Sequence, residues 1–318
     1  MALSDLAVFQ TEAYEVAMEG LDQQIQLFNE ATGGALVLSA HPFAGDFDTT
    51  AFFARLSGLV RRRNPYTMGA VSAIDLTMLQ ETMVKVAAGT PPVNLPPSQF
   101  RWIQMNPEEA GAAVGKQLSE EMLKDMLHIG LGSAKAAISG VASNVYDGTA
   151  GNMSLKALNQ GASKFGDMYQ DIAVWIMHSK PLFDMYEQFL TNSESLFSFG
   201  TINVRQDPFG RRIVITDDSA LVTAGSPATY HSLGLVPGAV MVAEQDDFDM
   251  NIETSNGLEN INRTLQSEWS YGVSVKGFTW DKTNGGKAPT TSALLTQTNW
   301  DKVATSGKHI AGVLINTD

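Results

Sequence analysis

The feature that most constrains the fold is a long helical pattern that begins at the segment NPEE, residues 106–109. Asn106 is a favourable N-cap residue, Pro107 suits the first helical position, and Glu109 stands where a capping box places its carboxylate. The apolar residues that follow recur at steps of four: Ala110, Val114, Leu118, Met122 and Met126. Continued through the small residues of LGSAKAAIS, the pattern predicts a helix of about 30 residues and ~45 Å. This is far longer than the usual helix of a globular protein.

A second long pattern, EWSYGVSVKGFTWD at residues 268–281, alternates with the period of a β-strand. One face of this strand would carry Trp269, Tyr271, Val273 and Val275. After Gly277 the apolar positions change to Phe278 and Trp280, which predicts a bulge at the glycine. Large aromatic residues on both faces leave two interpretations: the strand is a wall of a ligand cavity, or it is one plate of a larger packed assembly.

The N-terminal segment predicts a helix with a narrow apolar seam. The residues of this seam are Tyr14, Met18, Leu21, Ile25 and Phe28. Gly33 and Gly34 then end the helix. The segment is acidic, and no lysine or arginine precedes Arg55. Two interpretations stay open, because the helix could pack on its own domain or could be an arm that packs on a neighbouring molecule.

Residues 35–88 predict an extended excursion, read as a hairpin that projects from the body. The return segment alternates in a way typical of a strand standing partly in solvent, with one face formed by Met78, Gln80, Thr82, Val84 and Val86. The following TPPVNLPPSQ contains four prolines and predicts a stiff connector. Residues 146–244 predict a mixed α/β module with AVWIM as a short buried strand, and a long β region follows.

The composition excludes several classes of function. With 34 acidic against 21 basic residues, the net charge of −13 would repel a nucleic-acid backbone. The absence of cysteine excludes disulfides, thiolate metal sites and cysteine nucleophiles. No apolar run is long enough to span a bilayer, and the N-terminus lacks the features of a signal peptide. We therefore expect a protein of the cytosol.

Two glycine-rich segments fail as phosphate loops. GAAVGKQ, residues 111–117, has the wrong spacing and lies inside the predicted helix, and NGGKAPT, residues 284–290, is better interpreted as a turn. GASKFG, residues 161–166, is one residue too long for a nucleophile elbow. Ser163 is therefore predicted to be an exposed helix serine.

The titratable residues show no catalytic arrangement. The pair at 217–218 follows a strand as turn residues do, and the pair at 246–247 sits in an acidic run that we expect to be solvated. The five histidines show no zinc-site spacing and are predicted to be structural or surface residues: His41, His128, His178, His231 and His309. The sequence therefore predicts no catalytic residue, no cofactor and no metal.

Six segments taken together resemble the major capsid proteins of tailed bacteriophages, which have the Hong Kong 97-like fold. The segments are NVYDGTAGNMSLKAL, ASKFGD, VWIMHSK, FGRRIVITDD, EWSYGVSVKGFTWD and NWDKVATSGKHIAGVLI. The resemblance implies an α+β chain with an N-terminal arm, an E-loop, a peripheral domain with a long spine helix, and an axial domain. The implied ranges are 1–34 for the arm, 35–88 for the E-loop, 89–145 for the peripheral domain with the spine helix, 146–244 for the axial domain, and 245–318 for the peripheral-domain long sheet and C-terminal segment.

The same resemblance implies a non-enzymatic coat protein that assembles as hexamers and pentamers into an icosahedral head shell around double-stranded DNA. It implies a scaffolding protein, because the chain lacks the long helical N-terminal extension of some members, together with a portal protein and a possible decoration protein. Assembly would take place in the host cytoplasm, with no membrane and no sequence-specific DNA binding, and the product would be the virion. The alternatives are an encapsulin-like compartment that encloses cargo enzymes, or a hydrolase built on acidic residues.

The uneven distribution of charge predicts where neighbouring subunits meet. A basic cluster lies in the implied E-loop, and in the resembled family both arms and E-loops reach across adjacent subunits. The predicted contact residues are Arg61, Arg62 and Arg63 on one chain and Glu15, Glu19 and Asp22 on another. The alternative is that the basic cluster is only a solvated loop tip.

Overall fold

The computed structural model describes residues 2–54, 60–96, 101, 103, 105–191, 211–256, 259 and 261–318. Helices in these ranges include α1 Ala2–Ala31, α2 Pro107–Ser139, α3 Leu155–Ser163, α4 Ser179–Thr191 and α5 Thr291–Leu294. The first strands are β1 Leu36–Ala40, β2 Phe47–Phe53, β3 Met78–Gly89, β4 Val93–Asn94, β5 Val145–Asp147, β6 Val174–Met177 and β7 Arg212–Ile215. The later strands are β8 Val222–Thr223, β9 Thr229–Leu235, β10 Val240–Glu244, β11 Asp249–Ser255, β12 Asn262–Val275, β13 Phe278–Trp280, β14 Trp300–Lys302 and β15 Gly312–Thr317. Over these residues, no helix has the length and apolar character needed to cross a membrane.

Helix α2 is the long helix that the sequence predicts, and it runs for 33 residues. Four of the five predicted stripe residues are buried, and Val114 is half-buried. Asn106 precedes the helix as predicted, but its side chain caps no backbone N–H group. Its amide Nδ2 instead donates to Oε2 of Glu109 at 3.3 Å. The predicted capping box is therefore wrong, because the two side chains bond to each other and not to the backbone.

Helix α1 lies along α2 of the same chain, and small residues form the contact. The buried stripe of α1 has a spacing of four and consists of Phe9, Ala13, Ala17, Leu21 and Ile25. A Cβ atom on Gly111 of α2 would lie 2.7 Å from the carbonyl oxygen of Phe9, and one on Gly115 would lie 2.5 Å from that of Ala13. Such distances are too short for real contacts, so both glycines are required for the helices to approach this closely.

The predicted seam of α1 is wrong at its N-terminal end. Tyr14 is 39% exposed and Met18 is only half-buried. Leu21 and Ile25, the next two members of the seam, are buried as predicted. The fifth member, Phe28, has a side chain outside the described part of the structure. The predicted seam consists of large apolar residues. Because the glycines of α2 let the two helices approach closely, small residues, here Ala13 and Ala17, are buried in the contact instead. Of the two interpretations left open, the described chain has the helix packed on its own domain.

Seven strands form the long sheet, in the order β1-β10-β12-β3-β2, with β11 and β4 also paired to β12. Strand β1 runs parallel to β10, and the other pairs are antiparallel. Because β1 contains the apolar run ALVLS, this run belongs to the body of the protein. The excursion predicted for residues 35–88 therefore begins later, at β2.

The predicted strand EWSYGVSVKGFTWD is in fact two strands, β12 and β13, which are separated by a turn at Lys276 and Gly277. Gly277 has a φ of +81°, and a Cβ atom there would lie 3.0 Å from Cα of Ile310. The glycine thus permits a turn, and the predicted bulge is wrong. Strand β13 leaves the long sheet and pairs with β14, where the rings of Trp280 and Trp300 meet edge to face at 5.0 Å.

From Trp269 to Val275, both faces of β12 are covered by protein side chains. The predicted face is buried, and Tyr271 on it donates a hydrogen bond of 2.5 Å to Asp125 of α2, which ties the sheet to the long helix. On the opposite face, a Cβ atom at Gly272 would lie 2.6 Å from Sδ of Met83 and 2.7 Å from Cε1 of Phe43. This packing is the one that the plate interpretation predicts.

A second sheet has the order β5-β15-β9-β6-β7, with β8 paired to β9. Strand β6 is fully buried, as predicted for AVWIM, and Ser163 is the exposed last residue of α3, also as predicted. Strand β15, which lies in the C-terminal segment of the range 245–318, belongs to this sheet. Conversely β10, which falls in the range predicted for the axial domain, pairs in the long sheet. Both strands have partners far away in sequence, and a local pattern holds no information about such partners.

Strands β2 and β3 form a hairpin whose outer end stands away from the body. The pairing runs from Phe47 with Val84 to Phe53 with Met78. Phe53 and Met78 are 61% and 62% exposed, whereas Val84 is buried. The prediction of a strand standing partly in solvent is therefore confirmed. Residues 60–77, between the two strands, contain no helix or strand.

Candidate assembly surfaces

The loop 60–77 exposes nearly all of its apolar side chains. Tyr66 is 93% exposed and Met68 is 104% exposed. Further large apolar side chains of the loop, each exposed by more than half, are Val60, Val71, Ile74 and Leu76, and Met78 at the start of β3 is also exposed. A soluble protein rarely leaves so many neighbouring apolar groups uncovered unless another molecule covers them. The loop therefore has the character of an interaction surface.

The predicted basic cluster lies at the start of this loop. Arg61, Arg62 and Arg63 are all exposed. Within the part of the chain that the structure describes, none of the three forms an ion pair with an acidic residue. The guanidinium groups are thus free to meet acidic groups of another molecule.

The predicted acidic residues form a stripe on α1. Glu15, Glu19 and Asp22 follow one another at steps of four and three, so they share the face opposite to the one packed on α2. All three are exposed, and Glu19 accepts a hydrogen bond of 3.1 Å from Gln23. In the described chain no ion pair joins this stripe to the arginines, so a single subunit does not bring the two predicted sets together.

Further carboxylates gather where α1 approaches the end of β10. Burial raises the pKa of Glu244, and the charges of Asp22, Asp246 and Asp247 raise it further. Asp247 was predicted to lie in a solvated run, and its side chain is 42% exposed, as predicted. Its Oδ1 accepts the backbone N–H of Ser270 at 2.7 Å, so it holds the connection between β10 and β11 against β12.

Three contacts fix the base of the β2–β3 hairpin, and sequence reasoning missed all of them. The carboxylate of Glu81 on β3 accepts the backbone N–H of Gly277, and burial raises the pKa of this carboxyl group. Lys287 forms an ion pair of 3.0 Å with Asp46, just before β2. Lys282 lies 5.2 Å above the ring of Phe47. The segment 277–287 therefore sets the direction in which the hairpin leaves the body.

The carboxylates after β7 have structural partners. Asp218 accepts the N–H of Ala220 at 2.7 Å, and its Oδ1 lies 2.7 Å from Nδ1 of His128 on α2. Asp217 accepts the N–H of Ser179 at 3.2 Å. These contacts confirm the predicted turn chemistry. Among the described residues, no group of three or more His, Cys, Asp or Glu side chains could hold a metal ion.

The fold is similar to that of solved phage capsids, although the sequences have diverged far. The head of Helicobacter pylori bacteriophage KHP40 matches with a TM-score of 0.52 and 10% identity, over 89% of this chain and 88% of that chain. The capsid of cyanophage Pam1 matches with a TM-score of 0.53 and 13% identity, over 86% of this chain and 85% of that chain. The chain therefore has the Hong Kong 97-like α+β fold that the resemblance implied.

The family assignment comes from the sequence. A search of curated proteins found no match. A protein-family model, that of the major capsid protein 13-like family, matches residues 5–314. Neither the encapsulin-like compartment nor the hydrolase is supported by these comparisons. The chain belongs to the major capsid protein 13-like family, and it is a phage coat protein that forms part of the multimeric shell of a virion.

Proposed function

We propose that this coat protein assembles as hexamers and pentamers into an icosahedral head shell that encloses double-stranded DNA, and that it has no enzymatic activity of its own. Assembly takes place in the host cytoplasm with a separate scaffolding protein. A portal protein occupies one vertex, and a decoration protein is a possible further partner. The division of the chain into arm, E-loop, peripheral and axial domains belongs to the same proposal.

The observation that carries the proposal is the exposed apolar loop 60–77. Tyr66 and Met68 are almost wholly exposed, and they stand beyond the end of a hairpin. Exposed apolar groups add no stability to a free subunit, whereas a neighbour in a closed shell would cover them and remove them from water. The loop therefore acts as the connector between subunits.

The charge of the chain fits a container for DNA. A net charge of −13 gives no general attraction to phosphate, so the packaged genome is not held to the wall by the coat protein's overall charge. Binding to particular DNA sequences plays no part in this role.

The proposed contact between subunits also has an electrostatic part. The three arginines of the loop meet the stripe of Glu15, Glu19 and Asp22 on an adjacent chain. Both groups are exposed and lack ion-pair partners within the described chain, which supports the pairing. A single exposed pair contributes only about 0–1 kcal/mol, but a shell repeats the contact at every subunit.

Electron microscopy of the expressed protein tests the proposal. The chain is produced alone and together with its neighbouring gene products, and negatively stained images are taken. We expect closed shells in the presence of the scaffolding protein. A variant with Tyr66→Ser and Met68→Ser should fold but form few shells, whereas Phe183→Ser, an exposed apolar control on α4 that is 64% exposed, should form shells normally.

Two outcomes would contradict the proposal. The first is a small, monodisperse wild-type species under all conditions. The second is normal shell formation by the variant with both loop substitutions.

A further inference from the structure

A groove runs between α1 and the start of β11. Its volume is about 390 Å³. The residues that line it are Ala7, Gln10, Thr11 and Tyr14 from α1, with Phe248, Asp249 and Met250 from the opposite wall. The side chain of Gln10 donates to the carbonyl oxygen of Met250, so the two walls are joined to each other. The groove is therefore a fixed feature of the subunit surface.

Aromatic side chains make one part of the groove rigid and apolar. The rings of Tyr14 and Phe248 lie 5.3 Å apart, and Phe248 in turn lies 6.3 Å from the ring of Trp269, which is buried in β12. Tyr14 remains 39% exposed. This wall offers contact area to an apolar side chain without first having to become ordered.

Acidic side chains lie on and beside the groove. Asp249 stands on one wall, and the acidic stripe of α1 begins at Glu15, directly after the lining residue Tyr14, and continues to Glu19 on the exposed side of the helix. A segment that fits this surface should carry apolar side chains next to basic ones. Basic residues placed beside the apolar anchor would meet the acidic stripe.

The loop 60–77 has this arrangement. Its three arginines come just before Tyr66 and Met68, and all five side chains are exposed. The loop contains three basic residues and only one acidic residue, Asp75.

We propose that Tyr66 and Met68 of a second copy of this chain occupy the groove between α1 and β11, with the neighbouring arginines against Glu15 and Glu19. This inference rests on the proposed function and names the surface that receives the loop. Charge complementarity and the order of basic and apolar residues select this occupant.

Disulfide crosslinking between chains tests the inference, and the chain is well suited to it because it has no cysteine. Subunits with Met68→Cys are assembled together with subunits that carry Thr11→Cys, and the particles are oxidised. Both positions are exposed, so neither substitution should affect folding. We expect the monomer band to be lost to a dimer band on a non-reducing gel. Each variant assembled alone shows how much dimer comes from pairs of identical cysteines.

A matched control uses Gln23→Cys in place of Thr11→Cys. Gln23 is exposed on the same helix, ~18 Å along its axis from Thr11, and should give no dimer with Met68→Cys. If Thr11→Cys subunits do not assemble, Ala7→Cys on the same wall takes their place.

Particles that form normally but give no dimer, or give as much dimer with the control, would overturn the inference while leaving the proposed function intact. Failure of the wild-type chain to form particles would overturn the proposed function, and the inference with it.

Discussion

At the scale of single residues, the contact between α1 and α2 depends on the absence of side chains. Gly111 and Gly115 lie directly against the backbone of α1, where a Cβ atom would come within 2.7 Å and 2.5 Å of carbonyl oxygens. Backbone atoms cannot move aside as the end of a flexible side chain can. Small residues therefore decide whether the first helix of the chain stays on the long helix.

We expect Gly115→Val to destabilise the free subunit by about 1–3 kcal/mol, because its branched side chain would force the two helices apart. Ala113→Val is the matched control, since Ala113 is exposed on the same helix. Chemical denaturation of unassembled subunits measures both effects. Equal unfolding free energies for the two variants would show that the close approach is not required.

Glu244 gives a second prediction at this scale, and it concerns pH. Its folded-state pKa is raised above the ordinary value of 4.5, first by burial. The stability it contributes is therefore fully present below that value and is lost as pH rises through the raised pKa. We expect Glu244→Gln to unfold at a higher temperature than the wild type at neutral pH, with little difference near pH 4.5.

Thermal unfolding of free subunits at the two pH values checks this, with Glu19→Gln on the exposed stripe as the control. An increase that is the same at both pH values would mean that the ionisation of Glu244 is not its cause.

At the scale of secondary-structure elements, the sequence predicted those features that depend on residues close together in the chain. The start of α2 follows from Pro107 at its first position, and the buried strand β6 follows from its continuous apolar run. The place of β15 in the second sheet could not be predicted, because Leu314 pairs with Val145 across most of the chain. The role of the glycines of GAAVGKQ in the contact with α1 could not be predicted either, because the partner helix is distant in sequence.

The candidate contact surfaces could be predicted in part. The clusters of charge are visible in the sequence, and the exposure of Arg61 and Glu15 agrees with what such clusters favour. The hydrogen bond between Glu81 and the backbone N–H group of Gly277, here called the clamp, could not be predicted from the sequence. The reason is that its donor is a backbone N–H group, and the type of a residue does not show which partner its backbone will bind.

This clamp gives a prediction about the hairpin. In Glu81→Ala the N–H of Gly277 loses its acceptor, and we expect the local opening free energy to fall by about 1 kcal/mol, which is roughly a fivefold faster exchange. Glu81→Gln keeps an oxygen acceptor and should exchange almost as slowly as the wild type. Hydrogen exchange of the Gly277 amide and of β2 and β3 measures the effect. Slow exchange in the alanine variant would mean that other contacts hold the hairpin.

At the scale of the whole molecule, the free subunit has surfaces that only another molecule could cover. It has a core beneath the long sheet and α2, but it also carries an exposed apolar loop and separate acidic and basic surfaces. These surfaces add nothing to the stability of one chain. Their contribution comes from association, which stabilises the folded state by mass action.

The charged surfaces are tested together by reversal. Changing Arg61, Arg62 and Arg63 to glutamate should reduce assembly at low salt, where attraction between exposed charges is least screened. Changing Glu15, Glu19 and Asp22 to lysine in the same chain should restore part of the lost assembly. Light scattering of assembly reactions gives the measurement, and the melting temperature of free subunits should stay unchanged after the arginine reversal. If the arginine reversal leaves assembly unchanged, the proposed pairing is wrong and the basic cluster is only a solvated loop tip.

The position of β15 has a consequence for how the protein is made. It lies between β5 and β9, and it is synthesised after every other strand of that sheet. At ~5–20 residues per second, roughly 4–15 s separate the synthesis of β9 from that of β15. Throughout this interval β5 has no partner among the described strands made so far, and β9 has one edge that no described strand covers. The sheet therefore emerges from the ribosome in an unfinished state, and growing coat proteins translated side by side are exposed to mispairing until β15 has been made.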